Sequence, residues 1–191
     1  VSNENQEEIA TILEQTDKLD FLIQSLVKLS RMESGIIAVH SEDTTIKQML
    51  ESIQQQFNVK VREKNITLSL CDTDLHVRCD SKWTVEALGN IVDNAIKYTA
   101  CGGNVQIKVE HYSFFVKIDI IDDGIGIEKE EIPKIFGRFY RSLSVADQPG
   151  VGIGLFLARE IIQAQKGYIK VTSKRGKGST FSVFLPIAKK E

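Results

Sequence analysis

The sequence predicts an α/β domain led by one long bundle helix, and three observations carry that expectation. Helical periodicity fills the first stretch of the chain, strand-like alternation recurs in pairs further on, and two glycine-rich stretches interrupt the second half. With 191 residues there is room for one compact domain and an additional element.

From Asn5 to about Glu33 the residues Ile9, Ile12, Thr16, Leu19, Ile23, Leu26 and Ser30 step by three and four, and Leu13, Leu22, Val27 and Leu29 widen the stripe. So wide an apolar face asks for partner helices, as in an antiparallel or dimeric bundle, and Ser34 with Gly35 stop it. Its polar face mixes Glu, Asp and Lys, unlike the basic face of a membrane-surface helix. A short extended stretch near Ile36 to Val39 leads to a second amphipathic helix, Ile46 to Lys60. Strands are expected at Ile66 to Cys71 and Val77 to Cys79, a helix at Lys82 to Thr99, and a hairpin of Asn104 to His111 with Phe115 to Ile121. From Asp122 to Gly154 the chain has no long period, although "KEEIPKIFGRFYR" can hold short helical turns; so long a connection is usually functional. A helix over Val151 to Lys166 follows, then strands Tyr168 to Ser173 and Thr180 to Pro186 split by "KRGKGS".

Composition excludes several function classes. A net charge of -2 with 26% charged residues leaves no electrostatic footprint for nucleic acid or an anionic membrane. The three cysteines, Cys71, Cys79 and Cys101, are odd in number and lack any zinc-ligand spacing, so reduced thiols are expected. No apolar run reaches the length of a spanning helix, and the polar start "VSNENQEEIA" is unlike a signal peptide. The chain begins without Met, and the expectation is a cytoplasmic part of a longer, membrane-anchored protein.

"GNIVDNAIKYT" poses the functional question. Asparagine is a middling helix former, yet Glu86, Asn90, Asn94 and Lys97 share one stripe while Leu88, Ile91, Val92, Ala95 and Ile96 form the apolar one. Alone, that stripe is equally a solvated face. In "IIDDGIGI", Val116, Ile118, Ile120 and Asp122 share a strand face, so a carboxylate ends a line of core residues, and Gly124 and Gly126, before Ile127, keep the space beside it free of side chains. The pattern suits a ligand that donates hydrogen bonds; a plain Asp-Gly turn is the competing reading. In "PGVGIGLFLAR", Gly150, Gly152 and Gly154 alternate with Val151, Ile153 and Leu155 at a helix start, where unpaired amides favour an anion. No βαβ unit surrounds it and no Walker lysine follows, which argues against those two nucleotide folds.

In this order, the amide-bearing helix, "DDGIGI", "IFGRFYR", "GVGIGL" and "GKGSTFSVFLP" resemble the catalytic and ATP-binding domain of sensor histidine kinases, in the gyrase, chaperone, kinase and mismatch-repair ATPase superfamily. The resemblance runs from about residue 40 to the end, and the leading helix with "LVKLSRMESG" is similar to the second helix of that family's dimerisation domain, which divides the chain at 1–39 and 40–191. It implies a two-layer α/β sandwich of Bergerat type, a mixed sheet packed on helices. It implies Mg²⁺ at Asn94 with Asn90 beside it, Lys97 on phosphate, Tyr98 near the adenine, and Asp122 accepting the adenine amino group with Gly124 and Gly126 making room for the base. Hard cations take oxygen ligands, and lysine supplies phosphate with a point charge. The loop from about Glu128 to Gly150 becomes an ATP lid, Arg138 and Arg141 become phosphate contacts, and Thr180 lies where the last motif closes beneath the adenine. The implied partners are a response regulator receiver domain and, in the intact protein, a second copy through the bundle helix.

Two departures matter. Asp123 stands where many relatives have Asn, a change expected to be tolerated. Hydrolytic members of the superfamily carry a water-activating glutamate four residues before the Mg²⁺ asparagine; here that position is Asn90, and an amide takes no proton, which favours transfer over hydrolysis. A phosphoacceptor histidine sits on a helix and is followed by Glu or Asp. His76 and His111 lie in strand text before Val77 and Tyr112, and His40 in "HSEDT" precedes Ser41, so the acceptor is expected on an upstream helix absent from this chain. The rival readings are a hydrolytic ATPase of the superfamily, a catalytically silent nucleotide-sensing scaffold, and an anti-sigma-type serine kinase.

Overall fold

Two layers form because three amphipathic helices and one sheet each present a single apolar face. The computed structural model describes residues 3–33, 39–145, 148 and 150–187. Helix α1 spans Asn3–Glu33; the helix stop at Ser34 and Gly35, and most of the extended stretch before Val39, lie outside the described residues. Strand β1 (Glu42–Thr45) leads into α2 (Ile46–Glu63), and β2 (Thr67–Leu70), β3 (His76–Cys79) and α3 (Ser81–Tyr98) follow. The hairpin β4 (Asn104–His111) and β5 (Phe115–Asp122) precedes a long irregular segment, after which come α4 (Gly154–Ala164), β6 (Tyr168–Ser173) and β7 (Ser179–Pro186).

The main sheet has the order β2-β4-β5-β7-β6. Only β2 and β4 pair in parallel; the other neighbours are antiparallel, so the sheet is mixed. β1 and β3 make a separate antiparallel pair. Alternation turns Val105, Ile107, Val116, Ile118, Ile120, Phe181, Val183 and Leu185 to one face, where they meet the helices. Ile46, Met49, Leu50, Ile53 and Phe57 of α2, Leu88, Ile91, Val92 and Ala95 of α3, and Phe156, Leu157, Ile161 and Ile162 of α4 complete the core.

The opposite face of the sheet is polar and aromatic: Lys117 bridges Glu110 at 2.7 Å and Asp119 at 2.9 Å, and Tyr168 stacks on Phe184. α1 stands apart from this core, touching it through Leu22, while Ile9, Ile12, Leu13, Leu19 and Ile23 of its apolar face are exposed.

Candidate nucleotide site

α3 and α4 run antiparallel because they are pinned at one end. Asp80 caps α3, its Oδ1 accepting from Trp83 N at 3.1 Å, and the buried Gln165 at the close of α4 accepts from Asp80 N at 2.7 Å and from Thr84 Oγ1 at 3.2 Å. The later part of α3 therefore faces the start of α4. Asn90 donates to Glu86 O at 2.9 Å, and its Oδ1 faces Gly154, where a side-chain carbon would lie 2.9 Å away. One turn on, Asn94 lines the same cavity, and among the described residues its amide has no partner within the chain. α4 begins without a side-chain cap or an acidic residue in its first turn, so its leading amides are left for an anion. Gly152, with φ 77°, carries the chain past Tyr140 O, which a side-chain carbon would meet at 2.6 Å.

Lys97 reaches into this end of the cavity, its Nζ 4.8 Å from the Tyr98 ring centroid. Burial pushes its pKa below 10.5, the Arg141 charge pushes the same way, and Asp93 opposes them. An ammonium that binds its proton less tightly folded than unfolded penalises the fold, and stability is regained as pH rises from the folded pKa towards 10.5. Lys97→Met is accordingly expected to raise the unfolding temperature of the nucleotide-free chain while lowering ATP affinity; calorimetric melting and titration read the two effects separately.

At the other end lies Asp122, buried at the close of β5. Its Oδ1 accepts from Gly124 N at 2.9 Å and from Ser179 N at 3.2 Å, bonds that leave Oδ2 for a ligand. Burial raises its pKa above 3.8, with Asp123 adding a smaller push, against the pull of those two amides. Gly124 and Gly126 serve the chain more than the expected base. A side-chain carbon at Gly124 would lie 2.5 Å from Tyr98 O, and Gly124 does not line the cavity; one at Gly126, which has φ 67° and does line it, would lie 2.1 Å from Lys174 O. These glycines let the Asp122 corner close on α3 and on the β6–β7 turn.

Asn90, Asn94, Lys97, Tyr98, Asp122, Gly126, Ile127, Arg141, Gly150, Val151, Gly152, Ile153, Gly154 and Leu155 all line one cavity. Besides Gly124, two expected contacts do not. Arg138 lies over the Phe156 ring, 4.7 Å from its centroid, because the aromatic face offers the guanidinium a cation–π partner. Thr180 is displaced by strand alternation: β7 turns Ser179 and Phe181 to the cavity, and Thr180 between them points to the other face. Sequence reading missed Ser179, Phe181, Tyr140 and Arg175. "STF" held the signal for the first two, had strand phase been counted from Ser179. Arg141 bends the segment beyond it by donating to Val145 O at 3.0 Å and to Gln148 O.

A family profile described as histidine kinase-, DNA gyrase B- and HSP90-like ATPase matches residues 79–189, more than half of the chain and every residue that lines this site. The chain belongs to this ATPase family. The sensor histidine kinase WalK of Bacillus subtilis is 33% identical over 90% of this chain and 29% of its own length, and the sensor protein kinase PmrB of Pseudomonas aeruginosa is 29% identical over 89% and 36%. The chain thus spans about a third of the curated relatives it matches. Among solved structures, the mycobacterial sensor histidine kinase MprB superposes with TM-score 0.68 at 25% identity, covering 76% of this chain and 97% of that one. Full-length ShkA in complex with AMPPNP gives 0.84 at 21% identity, covering 100% and 40%. The histidine kinase ThkA in complex with the response regulator protein TrrA gives 0.80 at 22%, covering 98% and 53%. The two-layer α/β fold with a mixed sheet is therefore that of histidine kinase catalytic domains.

Within this ATPase family member, the Asp123 departure and the three histidines have structural settings. The exposed Asp123 carboxylate accepts from Asn104 N at 2.9 Å and Asn104 Nδ2 at 2.9 Å, tying β4 to the end of β5, and these bonds lower its pKa. It does not line the cavity, and Asn retains an oxygen for the same amide. None of the three histidines lies on a helix: His76 on β3 pairs with Asp43 at 2.9 Å, His111 ends β4, and His40 is exposed coil whose N–H donates to Asp80 Oδ2. No helix among the described residues is long and apolar enough to cross a membrane.

Proposed function

We propose that this chain is the Mg-ATP-binding and phosphoryl-donating part of a sensor histidine kinase. The supporting observation is one cavity with two unlike ends: a buried carboxylate held by two amides at one, and Asn94, Lys97 and the uncapped start of α4 at the other. Asp122 Oδ2 accepts the adenine amino group. Lys97 and the amides of α4 hold the phosphates, and Arg141 exchanges its backbone acceptors for phosphate oxygen. The side-chain oxygens of Asn94, whose amide has no partner among the described residues, and of Asn90, whose Oδ1 faces Gly154 on the same cavity, would hold a Mg²⁺ together with phosphate. When bound, the ion would neutralise charge on the transferring phosphoryl group. Tyr98, Ile127, Val151, Ile153 and Leu155 give the nucleotide an apolar surround that excludes water.

The γ-phosphoryl group goes to a histidine on an upstream helix and then to a receiver-domain aspartate. Residues 1–39 form the second dimerisation helix and linker and 40–191 the catalytic domain, a division supported by the exposed apolar face of α1. That face pairs with the upstream helix and a second copy, on the cytoplasmic side of a membrane-anchored protein. Asn90 in the position of a general base disfavours the hydrolytic alternative. Given labelled ATP, the chain alone is expected to bind nucleotide without labelling itself or releasing phosphate appreciably, and adding the acceptor helix is expected to restore transfer. Acid-labile, base-stable label on the chain alone would overturn the assignment of the acceptor, and steady phosphate release would favour hydrolysis.

A further inference from the structure

We infer that Lys64 is a positioning residue for the nucleotide site, acting from outside the cavity by holding the end of α3 that carries Lys97 and Tyr98. The inference rests on the nucleotide reading of that cavity and adds to it a residue with no ligand contact.

A helix leaves its last four carbonyls without intrahelical donors. In α3 every one is accounted for. Ala95 O accepts from Thr99 N at 3.0 Å, and Tyr98 O accepts from Ile125 N at 3.3 Å. Ile96 O and Lys97 O both accept from Lys64 Nζ, at 2.8 and 3.0 Å, and the third ammonium proton goes to Thr99 O at 2.7 Å. All the donors of this lysine are thus spent on one helix end, where a cation is also favoured by the helix dipole.

Lys64 is itself held. It caps α2, donating from its backbone to Lys60 O at 3.2 Å, and its carbonyl accepts from Gly102 N at 3.0 Å. The end of α2, the end of α3 and the turn before β4 therefore converge on one side chain. The geometry matters to the site because Lys97 and Tyr98 direct their side chains into the cavity from this same terminal turn. Tyr98 O is moreover the acceptor against which Ile125 and the closely packed Gly124 set the Asp122 corner. Without Lys64 the carbonyls of Ile96 and Lys97 lose their donors, and the last turn of α3 can fray at both ends of the nucleotide at once.

The test separates positioning from plain stabilisation. Mg-ATP affinity is measured by calorimetry for the wild-type chain, Lys64→Met, Lys64→Arg and Val109→Ala, the last a truncation on β4 of a partly buried side chain packed against the core and absent from the cavity lining, all at a temperature where each is folded. Lys64→Met is expected to bind roughly fivefold to thirtyfold more weakly, Lys64→Arg within about threefold of wild type, and Val109→Ala like wild type despite its lower melting temperature. Hydrogen exchange without nucleotide supplies an independent readout: the Ile125 amide is expected to exchange faster in Lys64→Met and at the native rate in Val109→Ala. Wild-type affinity in Lys64→Met, or an equal loss in Val109→Ala, would overturn the inference. If wild type itself fails to bind Mg-ATP, the nucleotide reading falls, whereas an Ile125 amide unchanged in Lys64→Met removes the proposed linkage whatever the ligand.

Discussion

Asn94→Ala is expected to cut phosphoryl transfer to a supplied acceptor helix by roughly a hundredfold or more, because misplacement of a reacting group by about an ångström has effects of that size. The reason is local. Among the described residues Asn94 spends its amide on no partner in the chain, so its truncation removes the proposed Mg²⁺ ligand without opening a structural hydrogen bond. The melting temperature should accordingly stay near that of wild type, and adenosine, which has no phosphate, should bind as before. Single-turnover transfer, melting and adenosine titration check the three parts. Undiminished transfer would remove Asn94 from the metal site.

Asp122→Ala acts at the opposite end and is expected to weaken Mg-ATP and adenosine alike, by roughly tenfold to a hundredfold, the worth of one hydrogen bond to a charged group. Titration calorimetry of both ligands checks it, and a loss confined to ATP would contradict the placement of the base. Acid should imitate the substitution. The folded-state pKa of Asp122 is raised above 3.8 by burial, so affinity falls as pH drops through that raised value and the acceptor gains a proton. The stability effect has the opposite sense. A carboxyl that holds its proton more tightly folded than unfolded supports the fold below pH 3.8 and loses that support as pH rises through its folded value. Asp122→Asn should therefore leave the nucleotide-free protein as stable as wild type, or more so, near neutral pH.

Much of this architecture was legible because it is periodic. The phase of α3 separates Asn90, Asn94 and Lys97 from Leu88, Ile91 and Val92, and the bounds of β4 and β6 follow from alternation and flanking turns. Periodicity fails where structure depends on distant neighbours. β1, with the charged sequence EDTT, is a strand because β3 pairs with it, which local propensity cannot disclose. α4 starts at Gly154, three residues later than its glycine pattern suggested, because Gly152 must pass close to Tyr140 first. Arg138 sits over the Phe156 ring, a contact between residues 18 positions apart that local sequence does not disclose. Strand phase places Ser179 on the cavity face, but its bond to Asp122, like those of Lys64 to the end of α3, joins residues far apart in the chain, and no local pattern encodes such bonds.

The strands β5 and β7 lie side by side in the sheet, with Asp122 opposite Ser179, yet these partners are 57 positions apart, and the chain between them leaves the sheet for the long segment and α4 before rejoining it through the edge strand β6. Both the segment after Glu128 and α4 belong to that excursion. Its entropic cost grows only with the logarithm of its length, about 0.6 kcal/mol for each doubling, and is met by the pairing of two central strands. Several residues added near Ser144 should therefore alter the melting temperature little, while changing how far the segment reaches over the phosphates. On the proposed nucleotide reading, length in this segment is a variable that selection can adjust for nucleotide residence time without reworking the core.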